Sequence, residues 1–305
     1  SASKNDVEIW KAPLFLFLVP LDESLPAVNL HIPEGRNELW NKTRTAFKYV
    51  YENYYDAADW FMKADDDTYV VVENLRHAVK DVDPKTPIWF GCNFKHFSKQ
   101  GFMSGGAGYV LSKEALRKFV VEAMPNSSLC RADGHGAEDV EMAKCLDKVN
   151  VTAGDLRDSE KRWRFFPFTP QTHVTSDKMG INGSKWFWDY IKYPYEEGPG
   201  CCSDTAISFH YVPAPHFYTL DYLVYRLRPF GRNMIYLSSN SRVERNAKQQ
   251  IQAVGSDVAL LPAIPGHSKN KESVPGKNQP ASVAAADREK LKQDPQNRTH
   301  TQGQS

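Results

Sequence analysis

The sequence predicts an α/β fold with a mixed sheet flanked by helices. Short apolar runs of strand type alternate with helical patterns through the middle of the chain. The central run, Trp60-Phe61-Met62-Lys63-Ala64, ends abruptly in Asp65-Asp66-Asp67, and the β-rich run Tyr69-Val70-Val71-Val72 follows at once. A strand that delivers carboxylates to its carboxyl end suits an open α/β sheet, where ligands sit outside the strand termini. Three adjacent like charges are costly unless a cation or water relieves them. In extended geometry Asp65 and Asp67 point one way and Asp66 the other. Two oxygens on one side suit a hard divalent ion that also holds phosphates. The plainer reading of the triplet is a solvated acidic turn.

The flanking elements follow in order. Leu14 to Val19 reads as a buried strand, and Pro26 to Pro33 as a connector. From Glu38 the period turns helical, with Leu39, Thr43, Ala46, Phe47, Val50 and Tyr54 on one face. After the carboxylates, Val71, Leu75, Val79 and Val82 mark a second helix that Asp83-Pro84 ends. Ile88 to Cys92 is a short strand. Met103-Ser104-Gly105-Gly106-Ala107-Gly108-Tyr109-Val110-Leu111-Ser112 holds three glycines in four residues. Such a run is either a tight turn between strands or a place where backbone closely approaches a ligand. It lacks the spacing and the Lys-Ser/Thr of a dinucleotide or P-loop fingerprint. Ser112 is placed to N-cap a helix from Lys113 to Val121.

Cys130 and Cys145 bracket Asp133 to Val140. Glu138 and Asp139 open a helix that carries Val140, Ala143 and Leu146. A carboxylate at a helix N-terminus is expected to stay ionised beside the dipole, which suits a group that accepts a proton. Simple helix-end acidity explains the same pattern. A Cys130–Cys145 disulfide would fix the loop before this carboxylate. Val149 to Ala153 is a further strand. Trp186-Phe187-Trp188-Asp189-Tyr190 is an aromatic cluster, fit for sugar stacking or for core packing. Cys201-Cys202 is a vicinal pair, and each member is expected to bond elsewhere. Ala206 to Val212 alternates like a strand. His210 near its end either completes a metal site or is a structural histidine. Tyr218 to Leu227 gives a last helix, closed by Pro229.

Bulk composition narrows the function classes. The 305 residues carry a net charge of +1, which gives no reason to expect nucleic acid or an acidic membrane as partner. Hydrophobic residues make up 41% and aromatics 12%, enough for a core, but no aromatic lies beyond Tyr236. The polar stretch from about Asn240 reads as a mostly disordered tail. No run of 18 apolar residues occurs. Five cysteines are an odd count, so at least one is free or pairs outside the chain. Sequons at Asn41, Asn126, Asn150, Asn182 and Asn297 lean towards a secretory compartment.

Taken together, these segments resemble the core 1 β1,3-galactosyltransferases, inverting enzymes of the GT-A fold. Glu34-Gly35-Arg36 with Leu39-Trp40-Asn41-Lys42-Thr43, Asp59 to Tyr69, Met103 to Ser112, Gly136 to Glu141, Cys201 to Asp204 and Ala206 to Tyr211 carry the resemblance. It implies a Golgi-lumenal enzyme that moves galactose from UDP-galactose to the 3-hydroxyl of GalNAc on Ser/Thr. The implied cofactor is Mn²⁺, held by Asp67 and His210 with Asp65. Asp65, Asp66, Lys63, Gly105 and Gly106 would serve the nucleotide sugar, and Asp139 would be the catalytic base. Trp186, Tyr190 and Glu138 would face the acceptor. The implied partners are UDP-galactose, GalNAc-modified glycoproteins and a second copy of the chain in a homodimer.

Members of this family begin with a cytoplasmic stub, a membrane anchor and a stem, which would make the full protein a type II membrane protein. Residues 1–33 do not match the family's first strand and donor loop and read as a diverged or truncated segment, with Cys92 having lost an upstream partner. Residues 34–235 read as the catalytic domain and 236–305 as the tail. A chaperone-like paralogue without activity, or a β1,3-N-acetylglucosaminyltransferase, are the alternative readings. The chaperone of this subfamily lacks the Asp-x-Asp pair that stands here as Asp65 and Asp67.

Overall fold

A computed structural model describes residues 27–175 and 184–230. The expected strand at Leu14 to Val19 and the expected tail lie outside them. The described residues up to Val224 belong to one compact unit, and 225–230 belong to a second. Among the described residues, no helix is long and apolar enough to cross a membrane.

The main sheet is mixed and has the order β1 (Trp60–Lys63), β6 (Tyr109–Ser112), β3 (Ile88–Gly91), β7 (Thr152–Ala153). β6 runs antiparallel to both β1 and β3, and β7 runs parallel to β3. In the register Lys63 lies opposite Tyr109, so the end of the central strand meets the exit of the glycine turn. A second sheet orders β2 (Tyr69–Val70), β9 (Ser208–Phe209) and β8 (Phe165–Phe166). A hairpin joins β4 (Asn93–Phe94) and β5 (Phe102–Met103).

The helices are α1 (Leu39–Tyr54), α2 (Val72–Val79), α3 (Lys113–Arg117), α4 (Glu138–Lys148), α5 (Pro170–Val174), α6 (Lys185–Tyr190) and α7 (Ala214–Asp221). α1 packs on α3 and α4, and α3 packs on β1, β6 and β3. Trp40, Phe47, Trp89, Tyr109, Phe119, Met142 and Leu146 fill the core between them. Truncating one of its large aromatics to Ala should cost about 3–5 kcal/mol. Ser112 Oγ accepts the Ala115 N–H at 3.1 Å and caps α3, as its position in the sequence anticipated. α3 then widens into a π-helical stretch, Lys118–Ala123.

Several expectations need correcting. Leu39 is exposed, and Trp40 takes the core position instead. α2 stops at Val79, where Lys80 begins the exit towards Pro84. The strand expected from Ala206 to Val212 shrinks to Ser208–Phe209, because Tyr211 takes a left-handed backbone (φ 55°) and leaves the sheet. Cys201 and Cys202 bond to each other rather than elsewhere, and Cys130 pairs with Cys145. Cys92 is a free, buried thiol. Burial pushes its pKa far up, which keeps it uncharged and inert.

Candidate active site

The acidic triplet is the first part of the site. It sits in a β-turn, closed by Thr68 N–H donating to the Asp65 carbonyl at 3.1 Å, and not in an extended strand. The turn still sends Asp65 and Asp67 to one side and leaves Asp66 exposed. Across from them stands His210, at the end of β9. β9 is held between β2 and β8, with Phe209 opposite both Tyr69 and Phe166. The Val212 N–H also donates to the Asp67 carbonyl at 2.9 Å, which ties the histidine strand to the acidic turn.

The side chains converge. His210 Nε2 lies 3.1 Å from Asp67 Oδ1 and 3.7 Å from Asp65 Oδ2. His210 Nδ1 lies 3.3 Å from the Pro167 carbonyl. An Nδ1 proton donated to that carbonyl would leave the Nε2 lone pair for an ion held between the two carboxylates, as in metal sites whose histidine is oriented by a backbone acceptor. One ligand atom from each of the three residues lies within 4.8 Å of the others. Two carboxylate oxygens and one imidazole nitrogen form a donor set suited to a divalent ion. His210 beside Asp67 holds that carboxyl below its ordinary range.

The glycine turn is the second part. Gly108 N–H donates to the Gly105 carbonyl at 3.1 Å, and Gly108 has φ 74°, which favours glycine. Gly106 lies against the His210 imidazole so closely that a Cβ there would collide with the ring. Thr68 Oγ1 donates to the Gly106 carbonyl at 2.7 Å, and Ser208 Oγ to the Ala107 carbonyl at 2.6 Å. The glycine run is therefore a tight turn, and its close approach is to the His210 ring.

The third part is the start of α4. Gly105 N–H donates to Asp139 Oδ2 at 3.0 Å, and Val140 N–H to Asp139 Oδ1 at 2.9 Å. Burial first, and the Glu138 charge second, raise the Asp139 carboxyl to about 6, against the pull of those N–H groups and of Lys63. The helix dipole was expected to keep this carboxylate ionised. Its effect of about 0.3–1 kcal/mol is outweighed by desolvation and a like charge next door. Glu138, expected to face the acceptor, is buried, with one oxygen bonded by the Tyr109 hydroxyl and the other 3.7 Å from Lys63 Nζ. Lys63 also pairs with Asp65 and donates to the Gly105 carbonyl at 3.2 Å. Burial opposes its charge, but Glu138, Asp65 and Asp139 together hold the ammonium above its ordinary value. Lys63 thus links the acidic turn to the helix of Asp139.

Trp186 and Tyr190 lie on α6, both half-buried, and belong to a continuous aromatic strip. Ring contacts run from His210 to Tyr211, Phe168, Trp186 and Tyr190. The sequence reading missed the Pro167 carbonyl behind His210, Thr68, Ser208 and Tyr109. Thr68 and Ser208 were next to recognised residues, but nothing in their spacing told that they meet the glycine turn. The Cys130–Cys145 disulfide closes the loop that precedes Asp139.

The Fringe-like family model matches residues 32–160, which include the acidic turn, the glycine turn and Asp139. Over 223 residues the chain is 47% identical to "Glycoprotein-N-acetylgalactosamine 3-beta-galactosyltransferase 1" of Xenopus laevis, covering 72% of this chain and 61% of that protein. It is 29% identical over 140 residues to human "Chondroitin sulfate synthase 3", covering 42% of this chain and 15% of that protein. It is 26% identical over 134 residues to mouse "Beta-1,3-glucosyltransferase", covering 43% and 26%. The chain thus spans about three fifths or less of the length of each of these relatives. Residues 32–160 thus match the Fringe-like family, and the chain is similar to a glycoprotein-N-acetylgalactosamine 3-beta-galactosyltransferase.

Proposed function

We propose that this chain transfers galactose from UDP-galactose to the 3-hydroxyl of GalNAc on Ser/Thr of glycoproteins, with inversion, in the Golgi lumen. The observation that carries the reading is the Gly105-Gly106 pair. Asp139 is anchored on the N–H of Gly105, and the next residue packs under His210 of the acidic cluster. Neighbouring Cα atoms are about 3.8 Å apart, so base and cation site are held on one short rigid turn.

Asp67, His210 and Asp65 would hold Mn²⁺, whose charge, when bound, is available to a departing diphosphate. Lys63, half-buried between Asp65 and Glu138, keeps the acidic turn in register with α4 and adds positive charge on the nucleotide side. Asp139 accepts the proton of the acceptor hydroxyl as that oxygen bonds to the anomeric carbon and the bond to UDP breaks. One displacement from the opposite face turns the α-linked donor into a β-linked product, and no sugar–protein bond is needed. Trp186 and Tyr190 offer ring faces to the acceptor sugar.

The test is transfer of radiolabelled galactose from UDP-galactose to a GalNAc-Ser glycopeptide, with and without Mn²⁺. Metal-dependent formation of a β1,3-linked disaccharide supports the reading. No transfer, with UDP and Mn²⁺ together giving no thermal shift, refutes it, because a protein that binds the pair must gain stability.

A further inference from the structure

We propose that the tip of the β4–β5 hairpin is an outer acceptor subsite, in which Phe97 receives an apolar side chain of the polypeptide that bears the acceptor sugar, and that Asp147 is the positioning residue of that tip. The proposal rests on the reading of Asp139 as the base.

The tip has an unusual build. His96 and Phe97 are consecutive non-glycine residues with left-handed backbones, φ 78° and φ 58°. Each such residue costs of the order of 1–3 kcal/mol and persists only where the surroundings enforce it. Asp147 does so from α4. Its Oδ2 accepts the Ser98 hydroxyl at 2.6 Å and the Lys99 N–H at 2.8 Å, and its Oδ1 accepts Gln100 Nε2 at 2.7 Å. Gln100 is fastened in turn to the Val151 carbonyl and the Ala153 N–H, both at 2.9 Å. Lys192 Nζ donates to the Gln100 carbonyl at 2.5 Å. On this strained and fastened loop, Phe97 is 52% exposed. Only part of the ring is covered, against Tyr190 and Phe102 at 5.9 Å each. Through Tyr190 it extends the aromatic strip that begins at His210.

Its place on α4 says what it meets. Asp147 stands two turns beyond Asp139 on the same helix, roughly 12 Å along the axis. The reacting hydroxyl must come within about 3 Å of Asp139. A tip fastened roughly 12 Å along that axis lies beyond the sugar that is extended, at the reach of the polypeptide that carries it. The occupant is therefore the polypeptide and not the sugar.

The experiment compares kcat/KM for two acceptors, methyl α-GalNAc and a GalNAc glycopeptide with apolar residues on both sides of the glycosylated Ser. Phe97→Ala is expected to lower kcat/KM for the glycopeptide about tenfold more than for the methyl glycoside, mainly through KM. Phe97→Leu should recover most of the loss. Asp147→Ala should give the same selective loss. Equal losses on both acceptors, or no loss on the glycopeptide, would overturn the proposal. If the wild-type chain extends neither acceptor, the reading of the base has failed. Binding of a fluorescent glycopeptide to wild type and Phe97→Ala then judges the subsite alone: weaker binding to the variant supports it, and equal binding overturns it.

Discussion

Replacing Asp139 by Asn separates catalysis from folding. The variant keeps the side chain's size and loses its ability to take a proton, a role worth about 10²- to 10⁴-fold in rate. The raised carboxyl also predicts the acid limb of the wild-type profile. With a pKa of about 6, kcat/KM should fall to about one tenth at pH 5 and approach its plateau by about pH 7. Stability has the opposite sign. A carboxyl raised from 3.8 to about 6 binds its proton more tightly folded than unfolded, so ionising it destabilises the fold. The cost is absent below about pH 4, grows between 4 and 6 and is complete above 6, at roughly 3 kcal/mol. Asn offers one acceptor oxygen to the two N–H groups of Gly105 and Val140, which returns about 1 kcal/mol of that gain. Asp139→Asn should therefore be more stable at pH 7 by roughly 1–2 kcal/mol, and no more stable at pH 4. Urea denaturation at both pH values, beside pH–rate profiles of the wild type and single-turnover galactose transfer, checks the whole argument. Transfer by the Asn variant at near the wild-type rate, or a wild-type limb with its midpoint far from 6, would refute the reasoning.

Gly106→Ala should push the His210 ring off the acidic pair and abolish the joint thermal shift by UDP and Mn²⁺ while leaving far-UV circular dichroism unchanged; His210→Ala should behave alike. Replacing Cys130 and Cys145 by Ser removes a crosslink that closes 15 residues, and should lower stability by about 3 kcal/mol in chemical denaturation. His173 is fully buried among Phe166, Phe168 and Phe187, with Nδ1 at 2.5 Å from the Tyr195 hydroxyl. Burial lowers its pKa to about 3 from 6.5, so the neutral ring's contribution is complete above pH 6.5 and is lost as pH falls towards 3. His173→Gln should flatten the fall of the melting temperature between pH 6.5 and 4; an unchanged slope would show that this ring does not drive acid unfolding.

The parts of the candidate site were legible because they reside in residue types next to one another. Asp65 to Asp67 after an apolar run, glycines at 105, 106 and 108, and Glu138-Asp139 before a helical period are local patterns that backbone geometry turns directly into a turn, a tight loop and a helix start. Hydrophobic period likewise located α1, α4 and β1 to within a few residues. Less visible was anything set by partners remote in sequence. The short extent of β9 depends on β2 and β8, and the Cys201–Cys202 bond depends on whether another thiol comes within reach.

By itself the sequence determined the α/β class, the order of α1, β1, α2, β3, β6, α3 and α4 and the supply of carboxylates, because these follow from side-chain type and local period. Only the tertiary structure decided that His210 meets Asp67, 143 residues away, that Gly106 makes room for its ring, and that Asp139 sits crowded enough to be raised to about 6. Those three outcomes depend on burial and on distances between distant segments, and both arise only when the two sheets and α4 pack around the glycine turn.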